Sequence, residues 1–500
     1  MVKRVTAVLI AAVMIFTSLP NYAQINNAGF EGGIHKNERD YKKTKQYKEV
    51  IFLTGKPIAL EGTVEIKIYD KKLNYKYVLS SKDKKVTLKR DIDLERIIDD
   101  NVKHRQVVEV NNITKYKETI DIEDEDAKMT YKLVDYQFHN STIDDNQPVV
   151  KYYQGSWGGT KTYEINDEEG KVVVDITGNI YGYDHYWGAT ETQKIHKDIT
   201  YTFEPEEGDK IEWYGYADID ASFNRTKRME YLDNLAYQAS FDGGYTLTEQ
   251  DETVMKYSYS LPYFDKDGVS KKRKNSGEGV ERFDTLPTQK RLFIPKYEDI
   301  KGNWAEWDIK RLGGLQVIDG TKKFFGPNLN MKRSDFAKWI VLAMDLAEEE
   351  QQQKRRSYTK PEATPALFND ITSEYPDYKY IKAIKEKEIM NGVGDNKFLP
   401  EGTLSRAEAI TIVIRAIGLE RLAPNPPFTT RFIDDEKIPQ WAKKSIYVAD
   451  QLGIAKGSPE GYIYPNEKMT KAEAAAFINR FITYLQDDLK VDYRENIINY

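Results

Sequence analysis

The first half of the chain alternates apolar and polar residues in many short runs. Val64 and Ile66 alternate with charged neighbours, and Ile199 and Tyr201 alternate with threonines and an aspartate. A period of two residues is typical of a strand that buries one face. Polar turn residues separate these runs. The pattern predicts a β-rich domain over residues 24–265, folded as a sandwich or as a barrel-like sheet.

The C-terminal part of the chain shows helical periodicity in three copies of one unit. Apolar pairs with the i, i+3 spacing of a helix face begin at Ile309, Ile381 and Ile446. A glycine follows each pair at a constant distance, and a short segment that ends in proline comes next. These glycines are Gly320, Gly392 and Gly457, and the prolines are Pro327, Pro400 and Pro465. The constant spacing predicts a repeat of helix, turn, loop and second helix.

The second helix of each unit begins with a start signal. Ser405 and Glu408 form one predicted capping box, and Thr470 and Glu473 form another. In such a box the hydroxyl and the carboxylate satisfy free N–H groups at the helix start. The first copy reads Lys-Arg-Ser-Asp at residues 332–335, so it keeps a cation but lacks the capping hydroxyl. We assign the acidic residue of each copy to helix capping.

Two other segments fit neither pattern. Residues 1–23 carry two positive charges, then an apolar run, and end at a small residue, which predicts a secretory signal peptide. Residues 266–292 are charged, contain glycine and serine, and offer no periodic apolar face. We interpret this second segment as a solvated linker between the β-rich domain and the repeats.

Composition narrows the chemistry that the chain can carry. The 500 residues have a net charge of -6, which gives no basic field for a nucleic-acid partner. Cysteine is absent, which removes thiol nucleophiles, disulfides and thiolate zinc sites. The histidines show no metal-ligand spacing, and neither a nucleophile elbow nor a phosphate loop occurs. We therefore expect no cofactor, no metal, no catalytic residue and no membrane span in the mature chain, and we interpret the protein as a non-enzyme.

The repeat resembles a known family. Its motifs are, in order, an aromatic-x-Asp start, Trp-Ala, a turn glycine, Phe-x-Pro and a Thr-Arg-Ala-Glu-like box. This combination resembles the S-layer homology (SLH) domain, in tandem copies at residues 293–347, 366–420 and 430–485. The resemblance implies a multidomain chain in which an all-α bundle of three repeats with pseudo-threefold symmetry follows the β-rich domain.

The resemblance also implies a ligand, an acidic secondary cell-wall polysaccharide that often bears pyruvate ketals. An arginine pairs well with the carboxylate of such a ketal, and a helix start adds partial positive charge. The residues that match the motif and are expected to contact the polysaccharide are Arg333, Arg406, Lys471, Trp304, Trp441, Gly392 and Gly457. The first copy departs from the box motif, and in the second Pro376 replaces the tryptophan.

These expectations combine into one leading function and two alternatives. The leading interpretation is an exported, extracellular protein, held non-covalently on the bacterial cell wall by its repeats, with the β-rich domain displayed as a structural or S-layer module. Self-association into a surface layer would accompany that role. The first alternative is a wall-anchored glycan-binding or adhesive protein that uses aromatic residues of the β-rich domain. The second is a wall-anchored polysaccharide-active enzyme.

Overall fold

A computed structural model describes residues 44–69, 71–101, 105–123, 128–204, 210–232, 244–265, 268–284, 286–347 and 367–497. The predicted signal peptide at residues 1–23 lies outside these ranges. The described chain consists of an N-terminal β-rich part and a C-terminal helical part.

The β-rich part is one antiparallel sheet that curves into a half-barrel. Its strands are β1 (Thr44–Ile51), β2 (Ile58–Tyr69), β3 (Lys72–Ser80), β4 (Val86–Asn101), β5 (Gln106–Glu123), β6 (Lys128–Asn146), β7 (Lys151–Ile165), β8 (Gly170–His185), β9 (Gly188–Phe203), β10 (Ile211–Leu232), β11 (Gly244–Asp265), β12 (Gly268–Asp284) and β13 (Thr288–Arg291). Strands β1 to β12 pair in chain order, and β13 pairs with β11. The barrel-like expectation thus holds as a half-barrel, and the described strands do not divide into the two sheets of a sandwich.

The predicted period of two explains which side chains face the interior of the half-barrel. Val64 and Ile66 of β2 and Ile199 of β9 are almost fully buried, whereas Glu65 and Thr200 lie on the outer face. Three tryptophans of this part, Trp157, Trp187 and Trp213, are also buried. They fill the protein core, so they do not supply the exposed aromatic platform that a sugar-binding sheet would need.

The prediction of a linker over residues 266–292 is wrong for the residues that the structure describes there. Strand β12 pairs with β11, and β13 pairs farther along the same strand. The glycines that suggested a linker have a packing role. A Cβ atom on Gly277 would lie 2.6 Å from the Tyr259 hydroxyl, and one on Gly279 would lie 2.2 Å from the Tyr257 ring. The two tyrosine rings therefore occupy the space above the glycines. The segment looks solvated in sequence because most of its described side chains are exposed.

The helical part contains two principal helices per repeat. They are α1 (Glu306–Gly314), α2 (Arg333–Ala343), α3 (Tyr378–Glu386), α4 (Arg406–Ile417), α5 (Lys443–Gln451) and α6 (Lys471–Thr483), and a short α7 (Leu489–Asp492) follows. Short 3-10 helices occupy Leu419–Leu422 and Asp435–Lys437, and π-helical turns Tyr484–Asp488 and Tyr493–Ile497 flank α7. The second helix of each repeat packs on the first helix of the next: α2 on α3, α4 on α5, and α6 back on α1.

One apolar core cluster spans the boundary between the two parts, and the rest of the half-barrel interior forms a second cluster. Trp187, from the turn between β8 and β9, is buried and donates its indole N–H to the Ala343 carbonyl at 2.9 Å. The Tyr152 hydroxyl donates to the Ile417 carbonyl at 3.2 Å. These carbonyls lie at the ends of α2 and α4, where a helix leaves its last acceptors unpaired. The β-rich part thus contacts the C-terminal ends of α2 and α4. No helix among the described residues has both the length and the apolar character needed to cross a membrane.

Candidate functional site

An aspartate clamp shapes the loop that precedes the second helix of each repeat. Asp370 accepts hydrogen bonds from the backbone N–H groups of Phe398 and Leu399, both at 2.8 Å. Asp299 and Asp434 do the same in the other repeats. The aromatic-x-Asp and Phe-x-Pro motifs are therefore two halves of one structure. Each clamp fixes the point at which the following helix begins.

A closed ring of backbone hydrogen bonds joins the three helix starts. The Met331 N–H donates to the Met469 carbonyl at 2.7 Å, and the Met469 N–H donates to the Leu404 carbonyl at 2.9 Å. The Leu404 N–H closes the ring by donating to the Met331 carbonyl at 2.9 Å. All three residues are buried. The segments that directly precede α2, α4 and α6 are thus hydrogen-bonded to one another.

Both predicted capping boxes are present. The Glu408 N–H donates to Ser405 Oγ at 3.3 Å, and the Ser405 N–H donates to Glu408 Oε2 at 2.8 Å. Thr470 and Glu473 repeat this geometry at the start of α6. The first repeat has no side-chain cap at Lys332. The starts of α4 and α6 are therefore capped by side chains of their own repeat, whereas the start of α2 is not.

The cation of each box pairs with the acid of the next repeat. Arg333 Nη1 lies 2.7 Å from Glu408 Oε1, and Arg406 Nη1 lies 3.2 Å from Glu473 Oε1. Lys471 Nζ lies 3.9 Å from Asp335 Oδ2, which completes the cycle. Glu408 and Glu473 thus act twice, because one oxygen caps the helix of its own repeat and the other accepts a bond from the preceding repeat. Capping thus involves one oxygen of each glutamate, and the bond across the domain boundary involves the other.

A cavity of about 120 Å³ opens beside the second of these pairs. Arg406, Lys456 and Arg480 bring three cations to its wall, and Glu473 brings one carboxylate. Trp304 from the first repeat stands at the same cavity with 68% of its surface exposed. Burial lowers the pKa of Arg480, and the nearby charge of Arg406 lowers that pKa further. We call this cavity the cationic groove, and its excess of positive charge suits an anion.

Comparison with known proteins supports the assignment of the repeats. Residues 296–337, 367–410 and 431–475 match the family model described as the S-layer homology domain. The chain carries three tandem SLH domains. Each matched segment lies within the corresponding repeat predicted from the sequence.

Proteins with similar SLH regions have diverse names. A 131-residue stretch, 26% of this chain, is 32% identical to 17% of a cell surface protein of Thermoanaerobacter kivui. A 181-residue stretch, 35% of the chain, is 28% identical to 19% of S-layer protein EA1 of Bacillus anthracis. A 184-residue stretch, 36% of the chain, is 29% identical to 9% of an amylopullulanase of Thermoanaerobacterium thermosulfurigenes. The chain spans only about one tenth to one fifth of the length of the curated relatives that it matches.

Arg333, a predicted ligand contact, lies in the wall between the first two SLH domains. Its Nε donates to the Phe398 carbonyl at 2.9 Å, and its Nη2 donates to the Asn391 carbonyl at 3.1 Å. With Nη1 on Glu408, every guanidinium nitrogen bonds to protein, and the residue is only 5% exposed. Arg333 therefore joins the first two domains, because two carbonyl groups and a carboxylate of the second domain lie opposite it.

The two glycines predicted to face the ligand have a packing role within their own domains. A Cβ atom on Gly392 would lie 2.6 Å from the Lys397 carbonyl oxygen. A Cβ atom on Gly457 would lie 2.8 Å from the Phe432 ring. Each glycine makes room for its own loop and aromatic residue. Close packing within each domain therefore accounts for both positions.

The remaining residues predicted to contact the polysaccharide, Trp441 and Lys471, have different surroundings. Trp441 is 50% exposed, and it does not line the cationic groove. Lys471 is partly buried and reaches Asp335 only at 3.9 Å. The structure thus brings together two of the predicted residues, Arg406 and Trp304, in one cavity.

Sequence reasoning missed Lys456 and Arg480. Arg480 is a cation within the otherwise apolar end of α6, and Lys456 directly precedes the turn glycine of its repeat. The equivalent of Arg480 in the second domain, Arg415, pairs with Glu420 at 3.4 Å, and the equivalent in the first is Leu342. A charge inside an apolar helix run was the available signal. Only the fold shows which of these charges reach a cavity.

Proposed function

We propose that the protein is exported and held non-covalently on the bacterial cell wall by its SLH domains. The ligand is an acidic secondary cell-wall polysaccharide, with a pyruvate ketal as the charged group. The cationic groove is the observation that carries this proposal. Three cations face one carboxylate there, and an exposed tryptophan offers a stacking surface for a sugar ring. The names of the cell-surface and S-layer relatives support the same location.

The three boundaries between SLH domains are unequal under this proposal. The backbone ring and the cyclic pairing of cations with acids support a pseudo-threefold arrangement of the repeats. At the boundary between the first and second domains, Arg415 is paired with Glu420, and Arg333 is buried. Near the first domain, Lys471 faces Asp335, and the position of Arg480 is a leucine. The cationic groove is therefore the principal site, and one polysaccharide segment binds per chain.

In this proposal the β-rich part is a displayed structural module of a surface layer, without catalysis. Among the described residues, no cluster of histidine, aspartate and glutamate side chains suits a metal ion. The relatives with enzyme names share only the SLH region with this chain, so the similarity concerns the anchoring domains and not the β-rich part. The adhesive alternative would have to use exposed tyrosines of the half-barrel, such as Tyr214 and Tyr216, because its tryptophans are buried.

Sedimentation with purified cell walls tests the anchor. The full chain should be used, since buried residues of the half-barrel, among them Tyr152 and Trp187, belong to the core of the SLH domains. It should co-sediment with sacculi that keep their secondary polysaccharide and stay in solution with acid-stripped sacculi. Equal retention by stripped sacculi would contradict the proposal. Electron microscopy of the purified protein tests the layer role separately, because ordered sheets are expected only if the chain self-associates.

A further inference from the structure

A belt of five charged side chains crosses the interior of the half-barrel, away from the SLH domains. They come from strands β1, β4, β5, β7 and β9, and each is at most 8% exposed. The five residues are Glu49, Arg90, Glu118, Lys161 and Lys197. Buried charges are costly unless they are paired. The pairing within this belt therefore determines whether one of these charges needs a further partner.

Four of the five charges pair with one another. Arg90 makes two bonds to Glu49, at 2.8 and 2.9 Å, and its Nε lies 2.7 Å from Glu118. Lys161 Nζ donates to Glu118 Oε2 at 3.0 Å. The Tyr163 hydroxyl donates to the other oxygen of Glu118 at 2.9 Å. Two cations and two carboxylates thus balance.

Lys197 is the fifth charge and has no counterpart in the belt. It lies between Ile195 and Ile199 on the inner face of β9, and it is 8% exposed. Within the part of the chain that the structure describes, no hydrogen bond or ion pair joins the side chain of Lys197 to another residue. Its side chain lines a cavity of about 30 Å³ together with the four paired charges. The cavity wall therefore carries one positive charge in excess.

We propose that this cavity binds one small monovalent anion, of the halide class, beside Lys197. A volume of roughly 10–15 Å³ on this scale admits one water molecule, so the cavity takes only one or two particles of that size. Chloride meets that limit and supplies the single negative charge that is missing. Sulfate and hydrogen phosphate carry two negative charges, more than the single charge that the cavity wall lacks. The site lies within the β-rich part and is independent of the proposed wall binding.

Thermal unfolding of the full chain in different salts tests the site. The melting temperature should rise with sodium chloride or sodium bromide by roughly 2 °C or more over sodium gluconate at equal ionic strength, because an ion that binds only the folded state stabilises it. Lys197→Met keeps the length of the side chain and removes its charge, so the halide effect should disappear. Lys194→Met alters an exposed lysine of the same strand and should keep the full effect.

Crystals grown in bromide give a direct readout. An anomalous peak within contact distance of Lys197 Nζ is expected in the wild-type protein and not in Lys197→Met. A halide effect that persists in Lys197→Met would overturn the proposal, because the ion would then bind elsewhere. Equal melting temperatures in halide and gluconate, with no anomalous peak, would overturn it as well, since the cavity would then hold only water. If Lys197→Met does not fold, the wild-type salt series and crystal decide the matter.

Discussion

Arg406 Nη1 of the second SLH domain lies 3.2 Å from Glu473 Oε1 of the third, and this pair forms one wall of the cationic groove. The same motif position in the first domain, Arg333, is bound by protein atoms on every nitrogen. One motif therefore serves two purposes in this chain. The partners across each domain boundary decide whether the cation joins domains or faces a cavity.

Arg406→Ala and Arg480→Ala should reduce retention on sacculi by about tenfold or more, since a charge-assisted hydrogen bond is worth about 1.5–3 kcal/mol. The free energy of unfolding should change by less than ~1 kcal/mol for Arg406→Ala, because its ion pair is partly exposed. Arg431→Ala is the matched control, since it removes an exposed cation from the same bundle. Sedimentation and urea unfolding measure the two effects, and normal retention by both groove variants would contradict the assigned groove.

Arg333→Ala should lower the free energy of unfolding and leave retention on sacculi unchanged, which is the reverse of the effects expected for Arg406→Ala. It removes a buried guanidinium and leaves Glu408 and two carbonyl groups without their donor. We expect a loss of about 3–5 kcal/mol in the free energy of unfolding. The fraction that remains folded should still bind sacculi, as measured at a temperature well below its transition. Unchanged stability with lost retention would show that Arg333 contacts the polysaccharide after all.

Ser405→Ala removes one capping hydroxyl and should cost about 1 kcal/mol of stability, with little change in retention on sacculi. Thr470→Ala should cost a similar amount, because its box has the same geometry. Ser373→Ala, at an exposed serine outside the boxes, is the control. Equal melting temperatures for all three variants would show that the boxes do not contribute measurably.

Trp187→Ala should destabilise both parts of the molecule together. The side chain is 1% exposed and joins the half-barrel to the end of α2. Its removal should cost about 3–5 kcal/mol, whereas Trp187→Phe should lose less because much of the apolar contact remains. Unfolding should be followed by circular dichroism at wavelengths for helix and for strand. Coincident shifts are expected, and a shift in one part alone would mean that the two parts unfold independently.

Local patterns explain which features could be predicted from the sequence. Alternation identified strands such as β2 and β9, and spacing identified the three repeats and the boxes at Ser405 and Thr470. Each of these depends on residues close together in the chain. Periodicity and capping act within a few residues, so one sequence is enough to detect them.

Features that depend on distant partners escaped prediction. Strand β12 lacks an apolar face, and its glycines make sense only beneath the rings of Tyr257 and Tyr259. The different surroundings of Arg333 and Arg406 depend on atoms of the neighbouring domain. The contact between Trp187 and Ala343 joins residues from the two halves of the chain. The repeat motif specifies where a helix starts, whereas the residues of the neighbouring domain determine what the cation of the motif contacts.

The clamp at Asp370 predicts a defined dependence on pH. Burial raises the pKa of Asp370, but hydrogen bonds from the Phe398 and Leu399 N–H groups outweigh that effect, so the folded-state pKa lies below the ordinary 3.8. A carboxylate with a depressed pKa adds stability that is fully present above its unfolded pKa and is lost as pH falls through the folded value. Asp370→Asn should therefore cost about 1 kcal/mol or more at pH 7, because the amide cannot accept both N–H groups as well.

The difference in unfolding free energy between wild type and Asp370→Asn should shrink as the pH falls below about 4, since the wild-type aspartate then becomes protonated and loses the same interaction. Urea unfolding at pH 7, 4.5 and 3 measures this difference. Asp395→Asn, at an exposed aspartate of the same loop, is the matched control and should show no such trend. A difference that stays constant across this range would mean that the charge of Asp370 does not stabilise the clamp, and that the shape of the side chain alone holds the loop.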